Sequence, residues 1–115
     1  MIGMHELAGT MDANDLSHIA KLRLLVTSME EDLGLDKLSG DERSLLYAMS
    51  ALSSDGANEL RSDDLKRHPL CRKLSHPTFY RALRSLLDKE LVSRSGPRKT
   101  GTYSLQIPGL DKIEG

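Results

Sequence analysis

A chain of 115 residues with a net charge of −1, 38% hydrophobic residues and no tryptophan suits one domain with a small, mainly aliphatic core. Its single cysteine excludes an intramolecular disulfide, and no apolar run approaches the length of a membrane-spanning helix. Since the first residues also lack the pattern of a signal peptide, we expect a cytoplasmic protein without membrane association.

The small net charge conceals a separation of charge along the chain. Between residues 61 and 105, eleven Lys and Arg stand against four Asp and Glu, a balance of +7. The remaining residues carry five basic and thirteen acidic side chains, a balance of −8. Such a separation predicts one surface for a polyanion and another surface for a different role.

The first predicted element is an N-terminal helix at 14–34, which follows a flexible tail at 1–13. Asn14 is the expected N-cap and Gly34 the expected stop. Apolar residues alternate three and four apart, as in the seam of a helix pair: Ile19, Leu22, Val26 and Met29, followed by Leu33. Two interpretations stay open, since this helix could pack on its own domain or form a homodimer interface through the first four residues.

Three short elements are predicted between residues 38 and 74. Ser39 and Glu42 form a capping box that begins the second helix. A single bridging strand is expected within 57–61, and Ser62 is the expected cap of a third helix that ends before Pro69. In the connecting segment that follows, the expected anchors are Leu70 and Leu74.

The helix predicted at about 75–89 carries most of the functional information. Ser75 caps it, and Pro77 fits its first turn. At 100° per residue, Phe79, Leu83, Leu86 and Leu87 cluster on an inner face. The outer face has no expected role in folding; it consists of Pro77, Thr78, Arg81, Arg84 and Ser85, with Tyr80 on the flank.

A β-hairpin is predicted after Glu90, where the hydrophobic period changes to two. Its strands lie at 91–95 and 102–105, and the connecting loop at 96–101 has Arg98 and Lys99 at its tip. Residues 106–115 are expected to form a C-terminal tail. The predicted core consists of Leu45, Leu46, Met49, Leu65, Phe79, Leu83, Leu86, Val92 and Tyr103.

The predicted order along the chain is helix, helix, strand, helix, helix, strand, strand, and the part at residues 38–105, which follows the N-terminal helix, resembles the winged helix-turn-helix domain. The run Pro77-Thr78-Phe79-Tyr80-Arg81-Ala82-Leu83 is similar to the recognition helix of bacterial regulators such as the Fur family. Leu86 and the run Leu91-Val92-Ser93-Arg94 are similar to the helix-to-wing junction of MarR-, PadR- and ArsR-type repressors. Two features depart from the pattern: Glu90 stands where several families have glycine, and the linker at 66–74 is longer than a minimal turn.

The resemblance implies a mainly α fold with a small β-wing, preceded here by the N-terminal α-helix. It also implies sequence-specific binding of double-stranded DNA by a small transcriptional regulator, with the helix in the major groove and the wing on backbone or minor groove. The contacts it assigns are His76, Thr78, Tyr80, Arg81, Arg84, Ser85, Arg98 and Lys99. If about six phosphates are contacted, a plot of the logarithm of affinity against the logarithm of salt concentration should have a slope of about −5.

DNA binding is not the only function compatible with this pattern. The main alternative is a winged-helix protein-interaction or assembly module, in which the same arginines meet an acidic partner. No motif of a catalytic site is present, so we expect no enzyme, no metal and no cofactor, and no residue set marks a small-molecule effector pocket. Cys71 beside Arg72 and Lys73 is either a redox-sensitive thiol or, as the sequence favours, an inert buried one. A homodimer would place two recognition helices on half-sites one helical turn apart.

Overall fold

The computed structural model describes residues 11–54, 59–96 and 101–106. Within them the chain is mainly helical with a small three-stranded antiparallel sheet, which agrees with the predicted mainly α composition and small β element. In chain order the elements are α1 (Ala13–Leu33), a 3₁₀ turn (Leu35–Lys37), α2 (Gly40–Ser54), β1 (Leu60–Arg61), α3 (Ser62–Arg67), α4 (His76–Asp88), β2 (Val92–Arg94) and β3 (Thr102–Leu105). The chain divides into an N-terminal unit, residues 1–37, and a C-terminal unit, residues 38–115.

Helix α1 makes up most of the described part of the N-terminal unit. Its N-cap is Asp12, whose side chain accepts a hydrogen bond of 2.8 Å from the amide of Asp15. The expected cap, Asn14, lies instead in the first turn, because the carboxylate two residues earlier already satisfies an amide of that turn. Gly34 ends the helix as predicted, with a left-handed φ of 77°.

The sheet of the C-terminal unit has the strand order β1-β3-β2. Leu60 pairs with Tyr103, and Val92 pairs with Leu105, so β3 lies in the centre. These four paired side chains are all buried. The sheet therefore presents one apolar face to the helices, although its strands are only two to four residues long.

All nine residues of the predicted core are buried, which confirms that set. The periodic signal missed further buried residues: Leu38, Ala48, Leu60, Cys71, Ala82 and Leu105. The prediction that Leu70 anchors the connecting segment is wrong, since Leu70 is 49% exposed. The neighbouring Cys71, which is 1% exposed, is buried instead. Leu74, the second expected anchor, is half-buried.

The linker between α3 and α4 is held by turns rather than by apolar packing alone. His68, the residue before Pro69, is extended and ends α3. Its carbonyl accepts from the amides of Cys71 and Arg72, each at 2.9 Å. The Cys71 thiol then lies 3.8 Å from the carbonyl of Ser44 in α2, so this longer linker is fastened to the core.

The start of α3 differs from the prediction. Arg61 is its N-cap and forms no side-chain capping bond, whereas Ser62 is the first helical residue. The amide of Ser62 donates instead to the carbonyl of Gly101 at 2.9 Å. A backbone bond to the end of the hairpin thus takes the place of the expected serine cap.

Helix α4 ends in a Schellman motif whose left-handed residue is Glu90, with φ 62°. The amide of Glu90 donates to the carbonyl of Leu87 at 3.0 Å, and the amide of Leu91 donates to that of Leu86 at 3.1 Å. Glycine usually occupies this position because it has no Cβ. The motif turns the chain directly into β2, so Glu90 performs the role of the glycine seen in related patterns.

Candidate nucleic-acid interface

The first turn of α4 is organised by Ser75 and Thr78. The Ser75 hydroxyl accepts from the Thr78 amide at 3.3 Å and lies 2.8 Å from the Thr78 hydroxyl, to which it donates. Pro77 occupies the first turn as predicted. In this arrangement the Thr78 hydroxyl keeps its own proton to donate to an oxygen of a ligand.

Arg81 and Arg84 form the centre of the outer face of α4. Both are exposed, and residues three apart on a helix have Cβ atoms about 5–6 Å from each other. Within residues 11–54, 59–96 and 101–106 neither arginine forms an ion pair. Asp88 lies one turn after Arg84, so the basic patch occupies the first three turns of the helix.

A shallow groove of about 470 Å³ runs along the side of α4 that faces the sheet. From the hairpin it is lined by Arg94 and Tyr103, and from α4 by Tyr80, Arg81 and Arg84. Its other lining residues are Pro77, Leu83 and Leu87. Helix and hairpin therefore present three guanidinium groups around one concavity.

Sequence reasoning missed Arg94 as a site residue, although the signal was available. Alternation along β2 puts Arg94 on the same face of the sheet as buried Val92, which is the face that packs against the helices. Its cross-strand partner Tyr103 is buried on that face too. A cation at the end of such a strand can reach the edge of α4.

Tyr80, a residue of α4, contacts α3. Its ring centroid lies 4.7 Å from that of His76 and 5.1 Å from that of Phe79, and Nζ of Lys66 lies 5.0 Å from it. Hydrogen bonding with Ser62 and Lys66 lowers the pKa of Tyr80, and the bond with Tyr80 raises the pKa of Lys66. Tyr80 thus links the two helices, while the exposed His76 lies at its side.

Ser85 joins α4 to α2 through Glu42. Its hydroxyl donates to Oε2 of Glu42 at 2.8 Å, and Nζ of Lys89 donates to the same oxygen at 2.6 Å. The sequence assigned Ser85 to the outer face with no role in folding, whereas the structure gives it one. Helical spacing sets the direction of its Cβ but does not show which neighbouring helix lies there.

Glu42 is the most strongly perturbed carboxylate of the described residues. Its other oxygen accepts from the amide of Ser39 at 3.0 Å, and its own amide donates to Ser39 Oγ at 3.1 Å, which confirms the predicted capping box. Burial would raise the pKa of Glu42, but the hydrogen bonds from Lys89, Ser39 and Ser85 outweigh it and lower the pKa from 4.5 to about 2. A carboxylate that stays ionised until the pH falls towards about 2 therefore links the first turn of α2 to the last turns of α4.

The other predicted site residues fall into two groups. Arg98 and Lys99 lie outside the described residues; the glycines on either side, Gly96 and Gly101, have left-handed φ values of 75° and 60°. The predicted dimer residues Ile19, Leu22, Val26 and Met29 lie on α1 and are 42–62% exposed.

The described residues lack a metal-ligand cluster and a membrane-spanning helix. None of their His, Cys, Asp and Glu form a group of three that could bind a metal ion, and none of their helices is long and apolar enough to cross a membrane. Burial raises the pKa of the Cys71 thiol to about 11, so the reactive thiolate is scarce at neutral pH. This disfavours a redox-sensing role for Cys71.

Comparison with protein-family models, with curated proteins and with solved structures finds no match. The functional argument therefore rests on the basic outer face of α4, the groove beside it and the contacts that hold this helix in place.

Proposed function

We propose that this chain binds double-stranded DNA through a winged helix-turn-helix domain at residues 38–105, as a small transcriptional regulator. Helix α4 enters the major groove, and the loop at 96–101 contacts the backbone or the minor groove. The observation that carries the proposal is the pair Arg81 and Arg84, exposed side by side without an acidic partner in the described chain.

The contacts that hold α4 in place favour a role in DNA binding. Glu42 fastens it to α2, Tyr80 links it to α3, and the Schellman motif at Glu90 joins it to β2. These contacts leave Arg81 and Arg84, on the outer face of α4, exposed. Because an α-helix with side chains is about 10–12 Å wide and the major groove is about 12 Å wide, α4 can enter the groove with this face towards the bases.

The residues along the interface suggest a division of work. Arg81 and Arg84 can each bond guanine O6 and N7 in bidentate fashion, worth about 1–3 kcal/mol of discrimination per base pair. Thr78 and His76, in the first turn, suit phosphate oxygens. Arg94, which lines the groove together with α4, suits phosphates of the DNA backbone.

Asp88 sets a limit to this interface. Its carboxylate lies on the same face as Arg84, one turn further along, and would repel phosphate. We therefore expect the N-terminal three turns of α4 to approach the DNA and the C-terminal turn to tilt away from it.

The test is binding of labelled random duplex DNA, followed by fluorescence anisotropy at low and moderate salt. On random duplex, where no guanine is fixed opposite them, Arg81 and Arg84 are expected to contact phosphates, so Arg81→Ala/Arg84→Ala should weaken binding and reduce the logarithmic salt slope by about 2. Lys37→Ala is the control, because it removes an exposed positive charge from the N-terminal unit and should leave the slope unchanged.

Two further outcomes are informative. Absence of salt-sensitive binding in the parent protein contradicts the proposal and favours an acidic protein partner for the same arginines. Loss of binding with Arg98→Ala/Lys99→Ala alone would assign the dominant contact to the wing rather than to α4. Selection from a random oligonucleotide pool would then identify the bound sequence, and a pool without enrichment would contradict sequence specificity.

A further inference from the structure

Helix α1 carries an apolar stripe that is exposed along its whole length. Its seam residues are 42–70% exposed, and none of the 21 residues of α1 is buried: the seam consists of Ile19, Leu22, Val26, Met29 and Leu33. In water a helix gains most of its stability from packing of such a face, and an isolated one of this length is marginal. The stripe therefore needs an apolar partner.

The charges of α1 indicate which partner fits. The last turns contain Glu30, Glu31 and Asp32 and no basic residue, although the C-terminal end of a helix is already negative. Positive charge is concentrated earlier in the helix, at Lys21 and Arg23. A neighbour that brings positive charge to the C-terminal turns would relieve this unfavourable arrangement.

A second copy of α1 supplies that charge in only one of two orientations. In a parallel pair Glu30 and Asp32, the two acids that flank the stripe, lie close to the same two acids of the other copy and repel them. In an antiparallel pair Glu30 and Asp32 of each copy lie beside Arg23 and Lys21 of the other. Charge complementarity thus selects the antiparallel orientation.

We propose that two copies of this chain associate through α1 as an antiparallel helix pair. In the register that best matches the pattern, Leu22 packs against Leu33 of the second copy and Val26 against its Met29. Arg23 then lies on the same side as Glu30 of the second copy, and Ile19 lies at the edge of the overlap. This association goes beyond the proposed DNA binding and does not depend on it.

The first test is the mass of the full chain by light scattering at micromolar concentration. The wild-type protein should show twice the chain mass of 12.7 kDa. Leu22→Glu should return it to the monomer mass. Leu24→Glu is the matched control, because Leu24 is 71% exposed on the opposite side of the helix, so this variant should remain dimeric.

A second variant keeps the test independent of helix stability. Arg23→Glu should weaken the dimer, and the double variant Arg23→Glu/Glu30→Arg should restore it, because the swapped charges still face each other in the antiparallel pair. Added salt should weaken the wild-type dimer by screening this attraction, whereas in a parallel pair it would screen a repulsion and strengthen it.

The orientation is measured with a spin label on Asn14→Cys, since the native Cys71 is buried and should not react. In the proposed register about 27 residues separate the two labels along the pair, which is about 40 Å at 1.5 Å per residue. Parallel helices with axes about 8–10 Å apart would bring them within about 20 Å. A short distance overturns the antiparallel pair, and a monomeric wild-type mass, or equal disruption by Leu24→Glu, overturns the association.

Discussion

The Glu42 carboxylate makes the strongest measurable prediction about stability. Replacement by Gln keeps the size and the oxygen that faces the Ser39 amide but removes the charge. The second oxygen, which accepts from Ser85 at 2.8 Å and from Lys89 at 2.6 Å, becomes an amide group that donates. The Lys89 ammonium would then face a second donor, and the Ser85 hydroxyl could at best turn to accept, so the charged contact between α2 and α4 is lost.

The expected magnitude follows from the pKa of Glu42, which is about 2 in the folded chain against an ordinary value of 4.5. At 1.36 kcal/mol per pH unit, this difference corresponds to about 3 kcal/mol of stability at neutral pH. The Glu42 side chain is only 10% exposed, but that of Lys89 is 44% exposed, so solvent screens part of the attraction. We expect Glu42→Gln to lower the free energy of unfolding by about 2–3 kcal/mol.

The assay is urea denaturation of wild type and Glu42→Gln at a series of pH values. Because the folded pKa is depressed, the stabilisation is fully present above about pH 4.5 and is lost as the pH falls towards about 2. The two proteins should therefore differ most at neutral pH and converge in acid. The control is Asp41→Asn, which removes the exposed carboxylate next to Glu42 and should change stability by less than about 1 kcal/mol.

Two results would refute this reasoning. A Glu42→Gln protein within about 0.5 kcal/mol of wild type at neutral pH, like an ordinary surface substitution, would mean that the buried charge contributes nothing net. A difference that stays constant down to pH 2 would mean that the lost stability comes from packing rather than from the charge.

Three more predictions concern single positions. Glu90→Gly should raise the free energy of unfolding, measured in urea, by about 0.5–1 kcal/mol. The reason is that relief of the left-handed conformation, worth about 1–2 kcal/mol, exceeds the entropy cost of glycine. A lower stability would contradict the Schellman geometry. The Cys71 thiol, with its raised pKa of about 11, should react with a thiol reagent at neutral pH only after addition of urea, and rapid native labelling would argue against its burial. Ser85→Ala should lower stability by about 1.5–3 kcal/mol, since it removes a bond to a charged group, and should leave the salt slope of DNA binding unchanged.

Much of the fold could be predicted from local signals. The capping box at Ser39, the cap at Ser75 and the stop at Gly34 each depend on one or two neighbouring residues, and the structure confirms all three. The nine predicted core residues were found by helical and strand spacing, which reports directly on burial. The boundaries of β3 agree with the prediction for the same reason.

The errors arose where a distant contact decided the outcome. Ser62 has the composition of a cap, but its amide is bonded to Gly101, far along the chain. Leu70 is more apolar than Cys71, but the turns around His68 point the cysteine at α2. Hydrophobicity describes the average tendency of a residue type to be buried. It cannot show which side of an irregular turn faces the core.

The outer face of α4 shows why a helical wheel alone does not define a binding site. Arg81 and Ser85 lie four residues apart on that face, and the wheel assigns both to recognition. Because α2 packs beside the helix, the Ser85 hydroxyl is used for Glu42, while Arg81 stays exposed. Two measurements distinguish these roles. A residue that holds the helix changes the midpoint of urea denaturation but not the salt slope of DNA binding. A residue that contacts DNA changes the salt slope but not the midpoint. Applied to Ser85→Ala and Arg84→Ala, this comparison tests the placement of α4 and its function independently.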